Sequence, residues 1–276
     1  MSITLTYRGE TSLPVEVEGL TPDWAWDKPL AVIERFEIFH GNQKLPLAEM
    51  FSVAGDAGDK RFDFEGDLFG IHWIGAHMRS GQIHIHGSSG RHLGSELRSG
   101  EIHVDGDVSD WVGCEMRGGL IHVRGNAGHQ VGAAYRGSAQ GMRGGTIIVD
   151  GNVGNEIGLV MKEGLIAVGG QAGDVIGFNM TGGTVLIFGS AGIRPGAGMH
   201  GGTIALLGTT PLRMLPSFRF DRRAAPSNLE MLLKGLHKKG MEVPDSALLD
   251  EASVYIGDLV ADGAGEIYLR HVRDSD

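Results

Sequence analysis

Glycine recurs in this chain at a fixed interval. Gly87, Gly106 and Gly125 stand 19 residues apart, and after one interruption the count resumes at Gly151, Gly170, Gly189 and Gly208. A constant period near 20 residues marks one supersecondary unit stacked many times, because such a unit buries its apolar side chains only against its neighbours. Of the 46 glycines in 276 residues, 34 fall between Leu68 and Leu207. Ile, Val, Leu and Met recur among them at fixed offsets, so the segment reads as ordered and not as a flexible linker.

Two units show the skeleton. Gly106 to Arg124 reads GDVSDWVGCEMRGGLIHVR, and Gly170 to Phe188 reads GQAGDVIGFNMTGGTVLIF. Positions sixteen and eighteen carry Ile102/Val104, Ile121/Val123, Ile147/Val149, Ile166/Val168, Val185/Ile187 and Ile204/Leu206. This alternation of aliphatic, mostly β-branched residues predicts one short strand per unit with one buried face. The seventh position (Leu93, Val112, Val131, Ile157, Ile176) and the eleventh (Leu97, Met116, Met142, Met161, Met180, Met199) supply further inward side chains. The expectation is an all-β fold, a parallel β-helix of about seven 19-residue rungs, with glycines at the corners. A hexapeptide helix does not fit a 19-residue period, and the G-G-x-G-x-D runs of calcium-binding helices are absent.

One unit, Gly125 to Asp150, has 26 residues. The excess lies near Ala133 to Gln140 and should bulge from one corner, since the rungs on both sides keep phase. Inserted loops on repeat proteins are the default place for contacts. Tyr135 and Arg136 are the expected anchors of such an interface.

The non-repeating ends should seal the stack. Residues 1–66 form an expected N-terminal cap, with a strand through Ile3, Leu5 and Tyr7 and a short helix after Thr21-Pro22-Asp23. Residues 67–208 carry the repeat. Residues 209–276 form an expected small α/β C-terminal cap. Its amphipathic helix begins at a Ser227–Glu230 capping box and ends at Lys238, Lys239 and Gly240, and a strand pair lies near Val254–Ile256 and Glu266–Leu269.

A net charge of −10 argues against nucleic acid as the main partner. The N-terminus lacks the apolar stretch of a signal peptide, and no run is long enough to span a membrane, so a cytoplasmic location is expected. One cysteine, Cys114, excludes a disulfide framework within the chain.

Twelve histidines invite a metal assignment. His84, His103 and His122 stand 19 apart in mid-strand, between inward residues, and should stack as an outward ladder. No carboxylate or cysteine shares their spacing, so the expected reading is a partner-facing or solvated stripe, with no metal site. Cys114 has no His or Asp tied to it by sequence, and the Gly141/Gly144/Gly145 run lacks the strand-to-helix setting of a phosphate loop. No catalytic, cofactor-binding or metal-binding residue is assigned. The bare residues read as a scaffold, with a repeat that has its own ligand site near the inserted loop and the histidines as the alternative.

The skeleton G-x-x-G-x-x-x-G-x-x-M-x-x-G resembles the glycine-rich repeat of two related groups. One is the C-terminal domain of the glutamate synthase large subunit. The other is the C subunit of formylmethanofuran dehydrogenase, with its bacterial counterpart, the C (gamma) subunit of the formyltransferase/hydrolase complex. The flanks resemble the second group: HGNQ at His40 to Gln43, LAEMFSVAGD at Leu47 to Asp56, GAAYRG at Gly132 to Gly137, LLGTTPLRMLPSF at Leu206 to Phe218 and YIGDLVADGAGEIYL at Tyr255 to Leu269. Ser109 in place of a glycine and Pro195 in place of an aliphatic are departures at corners. The resemblance implies a right-handed β-helix and a structural scaffold within a one-carbon enzyme complex that moves a formyl group from tetrahydromethanopterin to a methanofuran-type carrier and releases formate. It implies three partners: the A subunit (a metal-dependent amidohydrolase), the B subunit (molybdopterin-protein-like) and the D subunit (the formyltransferase). The C subunit of an archaeal tungsten or molybdenum formylmethanofuran dehydrogenase is the alternative; the high Arg-to-Lys ratio favours the bacterial form. The family places no catalytic residue in its C subunit.

Overall fold

The computed structural model describes residues 2–10, 12–226, 228–244, 247 and 251–270. Its strands are β1 (Ile3–Tyr7), β2 (Val15–Glu16), β3 (Glu37–His40), β4 (Gln43–Pro46), β5 (Phe51–Gly55), β6 (Arg61–Glu65), β7 (Ile71–His72), β8 (Gln82–Ile85) and β9 (Glu101–Val104). They continue with β10 (Arg117–Val123), β11 (Arg143–Val149), β12 (Glu163–Val168), β13 (Thr184–Ile187), β14 (Thr203–Leu206), β15 (Arg219–Ala224), β16 (Ala252–Gly257) and β17 (Gly265–Arg270). Among the described residues three short α-helices accompany them: α1 (Pro22–Ala25), α2 (Leu30–Ile33) and α3 (Leu229–Lys238).

Each repeat contributes one strand, and these strands pair in parallel at the repeat's own spacing. Ile83, Ile102, Ile121, Ile147, Ile166, Val185 and Ile204 lie side by side across β8 to β14. The 26-residue step from Ile121 to Ile147 keeps this register over Leu120 to Val123, and the ladder of β10 with β11 shifts register only nearer its start, between Arg117 and Leu120. The inward aliphatic and methionine columns are fully buried, as the alternation requires.

The expectation of a right-handed parallel β-helix is corrected here. The described residues form a 13-stranded, mostly parallel sheet in the order β15-β16-β17-β14-β13-β12-β11-β10-β9-β8-β6-β1-β5, beside a four-stranded sheet β4-β3-β2-β7. Two physical facts explain the difference. Only one segment per repeat is extended long enough to pair as a strand. Elsewhere neighbouring repeats meet through single bridges, at Leu68, Ser89, Val108, Ala127, Val153, Ala172 and Ala191, and through backbone bonds in turns. The flanking segments also join the repeat's own sheet: β6 pairs with β8, and β14 with β17. The fold class is all-β with few helices.

The turns place residues in left-handed conformation at the same point of each repeat. Trp73, His92, Trp111, Gln130, Glu156, Val175 and Arg194 all have φ between 59° and 65°. Each of the first six donates its N–H to a carbonyl of the next repeat at 2.8–3.1 Å, which offsets the backbone strain. The glycine two residues later is held by space as well as by φ. At Gly113 (φ 61°) an added Cβ would stand 2.5 Å from Ile147 Cδ1 in the core.

Helix α3 lies on the outer face of the sheet. Leu229, Leu233 and Leu236 pack with Ile148, Ala167, Leu186 and Ala205 in a second apolar cluster. The capping-box residue Ser227 lies outside the described residues; the position after it, Asn228, has φ 63° and makes no side-chain cap. Gly240 (φ 89°) ends the helix, and Met241 N–H closes back on Leu236 O at 3.1 Å.

Candidate functional site

The outward column of the sheet changes character along its length. In register it reads Asp63, His84, His103, His122, Ile148, Ala167, Leu186, Ala205 and Tyr268. The apolar half is the half that α3 covers. The histidine ladder occupies the polar half, in which His84 and His103 are part exposed while Asp63 and His122 are buried.

His122 marks the boundary. Its side chain is only 1% exposed, with Nε2 at 3.0 Å from Asp150 Oδ2. Arg124 donates to the same carboxylate oxygen at 3.2 Å and to Gly240 O at 2.9 Å, tying the end of α3 to the ladder. Thus His122 faces outward but is covered by the chain's own C-terminal segment. His103 is part exposed, with Nε2 at 3.2 Å from Glu101 Oε2.

His84 belongs to a larger group than its spacing suggests. Its Nε2 lies 3.0 Å from Asp105 Oδ1, and its ring centroid is 4.0 Å from that of His86. His86 in turn sits 3.4 Å from Asp63 Oδ1 and 3.4 Å from Asp105 Oδ2. Arg61 donates to Asp63 Oδ1 at 2.9 Å. Burial opposes ionisation of Asp63 and Asp105, but the Arg61 and histidine bonds outweigh it and hold both carboxyls below their ordinary values. A cleft of about 220 Å³ opens here, lined by Arg61, His84, His103, Asp105 and Arg124 among others. Sequence reasoning missed Asp63 and Asp105 because they stand 21 residues before and after His84, one repeat plus two. His86 was missed as well, although His84-Ile85-His86 carries its signal, since alternate residues of a strand share a face.

The inserted loop does not simply project. Tyr135 folds back and donates its hydroxyl to Ser95 Oγ at 2.8 Å, with His92 Nδ1 at 3.2 Å. Burial pushes the Tyr135 hydroxyl up from its ordinary value. Arg136, next along, is exposed. The loop thereby covers an aromatic stack. His92 lies between Trp73 (centroids 4.1 Å, 9° between planes) and Trp111 (5.0 Å, 4°). The signal for this stack was the same period: positions 73, 92 and 111 are 19 apart. Burial, followed by the charges of His72 and Arg91, pushes the His92 imidazole down to about 4.

Cys114 is buried, its thiol pushed up by burial, and it donates weakly to Gln130 O at 3.6 Å. That is the setting of a packing residue and not of a thiolate nucleophile. Among the described residues no helix is long and apolar enough to cross a membrane.

Comparisons with known proteins agree on one group. The profile of the family described as GXGXG motif matches residues 71–213. The C subunit of molybdenum-containing formylmethanofuran dehydrogenase 1 from Methanothermobacter thermautotrophicus is 41% identical over 94 residues, 34% of this chain and 24% of the relative. The C subunit of tungsten-containing formylmethanofuran dehydrogenase 2 from the same organism is 36% identical over 90 residues, 31% of this chain and 33% of the relative. The chain therefore spans only about a quarter to a third of the length of these curated relatives. A solved chain of the formyltransferase/hydrolase complex (FhcABCD) from Methylorubrum extorquens, in complex with methylofuran, matches over 97% of this chain and 99% of its own length, with TM-score 0.86 and 26% identity. This chain belongs to the GXGXG motif family, as a homologue of the formylmethanofuran dehydrogenase C subunits.

Proposed function

We propose that this chain is a structural, non-catalytic subunit of a formyltransferase/hydrolase complex. In that complex a formyl group passes from tetrahydromethanopterin to a methanofuran-type carrier and is released as formate. The observation that carries the reading is the match, nearly end to end, with a chain of the FhcABCD complex. The packing role of the buried Cys114 is in keeping with it. Its partners are the amidohydrolase, molybdopterin-protein-like and formyltransferase subunits, and the metal of the reaction belongs to the amidohydrolase. The repeat (67–208) is the platform, and residues 1–66 and 209–276 close it. The docking surface includes the exposed Arg136, Tyr135 beneath it, and the open ladder of His84 and His103; His122 contributes from beneath, through the Asp150 carboxylate it shares with Arg124, which ties the end of α3.

Co-expression with the three candidate partners, followed by purification and mass spectrometry, tests this. The chain should co-purify with all three, and omitting it should disperse them. A complex that keeps its architecture and turnover without this chain would overturn the proposal. The names of the curated relatives favour a second reading, the C subunit of a dehydrogenase. Tungsten or molybdenum in the purified assembly would select it; an assembly free of both selects the hydrolase.

A further inference from the structure

We propose that Asp63, His84 and His86 form a binding site for a first-row divalent transition-metal ion of the zinc class, with Asp105 orienting the histidines. Each of the three supplies one ligand atom, and those atoms all lie within 4.8 Å of one another. The backbone presents them well. His84 and His86 are alternate residues at the end of β8, so both rings leave the same face, and Asp63 pairs directly with His84 across the β6–β8 ladder. Asp105 stands at the end of β9, on the other side of the same histidines, with its backbone N–H bonded to Ile85 O at 3.0 Å.

The donor set is that of a borderline ion. Two imidazoles and a carboxylate suit zinc and its neighbours, whereas magnesium and calcium select oxygen ligands. Ligands at about 2.0–2.1 Å from a tetrahedral ion lie about 3.3 Å apart. Asp63 and His86 are already 3.4 Å apart. His86 is 41% exposed in its side chain, which leaves it room to rotate toward His84. Asp105 matches the outer partner of a ligating histidine: with His86 Nε2 turned to Asp63, Nδ1 points to Asp105 Oδ2 at 3.4 Å. The charges also fit. Asp63 and Asp105 bring two negative charges and Arg61, 2.9 Å from Asp63 Oδ1, brings one positive charge, so the carboxylates outnumber the guanidinium beside them and favour a cation. The cleft is lined by His84 and Asp105, so water reaches that side of the cluster. This site is on the outer face of the sheet and shares His84 with the docking surface proposed above; ion uptake by the chain alone tests it separately from assembly.

The test is titration of the full chain with Co²⁺, read by its visible absorption, and with Zn²⁺, read by calorimetry and by melting temperature. The expected result is one ion per chain, Co²⁺ displaced by Zn²⁺, and a melting temperature that rises with free Zn²⁺. His84→Ala and His86→Ala should each weaken binding by at least about tenfold, and Asp105→Asn by about tenfold without abolishing it. His237→Ala, on the exposed end of α3, should bind as the parent does. Melting of each metal-free variant confirms that it folds. Failure of the parent to take up a stoichiometric ion overturns the proposal. So does binding that is equally tight in His84→Ala and His86→Ala.

Discussion

Tyr135 and Ser95 are 40 residues apart in sequence and share a 2.8 Å hydrogen bond, in which the tyrosine hydroxyl donates to a serine that is wholly buried. The bond fastens the seven-residue insertion to the repeat beneath it. Tyr135→Phe keeps the ring and removes the hydroxyl, leaving Ser95 Oγ without that partner and His92 Nδ1 without its neighbour at 3.2 Å. The expected cost is about 1–3 kcal/mol, read as a lowered midpoint with unchanged slope in denaturant unfolding. An unchanged midpoint would mean that the loop is held by the aromatic stack alone.

Gly113 tests the close approach of one repeat to the next. Alanine there takes a left-handed φ of 61° and drives its Cβ to 2.5 Å from Ile147 Cδ1. Strain and overpacking together should cost about 2–4 kcal/mol. Ile147→Val removes the clashing methyl. The double variant should therefore lose less than the sum of the single losses, and the cycle measures the contact itself. Strict additivity would show that the backbone conformation, and not the space, requires glycine.

The His92 imidazole should titrate near pH 4, because burial between two tryptophans and the positive charges of His72 and Arg91 disfavour its protonated form; Asp110 pulls weakly the other way. The unfolded chain takes up this proton near the ordinary value of 6.5. Between those limits the unfolded state binds more protons, so stability falls as pH falls from about 6.5 to about 4. The contribution is complete above 6.5 and lost below 4. Proton NMR of the imidazole gives the folded midpoint, and thermal unfolding across the same range gives the slope. A midpoint close to the ordinary value would mean that the stack is open to water.

Much of the sheet was legible because its period is its register. The columns through Ile102 and Val104 could be read directly, since parallel strands at constant spacing place equivalent residues side by side. The overall form was not legible, because alternation marks strands without saying how the turns between them pair. The flanking strands β6 and β17 carry no glycine period, yet they extend the same sheet. The ladder of His84, His103 and His122 was visible; its unequal burial was not, because α3 returns from the far end of the chain to cover Ile148 and its neighbours. Asp63 and Asp105 escaped notice for different reasons: the step from β6 to β8 is 21 residues and not 19, so Asp63 falls outside the period although it lies directly beside His84, and Asp105 stands two residues beyond His103, the partner of His84.

The two faces of α3 should respond unequally to truncation. Leu236 is 1% exposed in the cluster with Ile148 and Ala167, while Met231 on the same helix is 65% exposed. Leu236→Ala removes buried methyl groups and should cost about 2–5 kcal/mol, depending on how far the site collapses. Met231→Ala should change stability by about 0.5 kcal/mol or less. Leu236 also precedes the turn at Gly240, whose carbonyl accepts from Arg124. Loosening that end should therefore speed hydrogen exchange at the α3 amides while the amides of β10 to β13, held on both sides, stay protected. Equal acceleration in the sheet and the helix would mean that α3 and the repeats unfold as one unit.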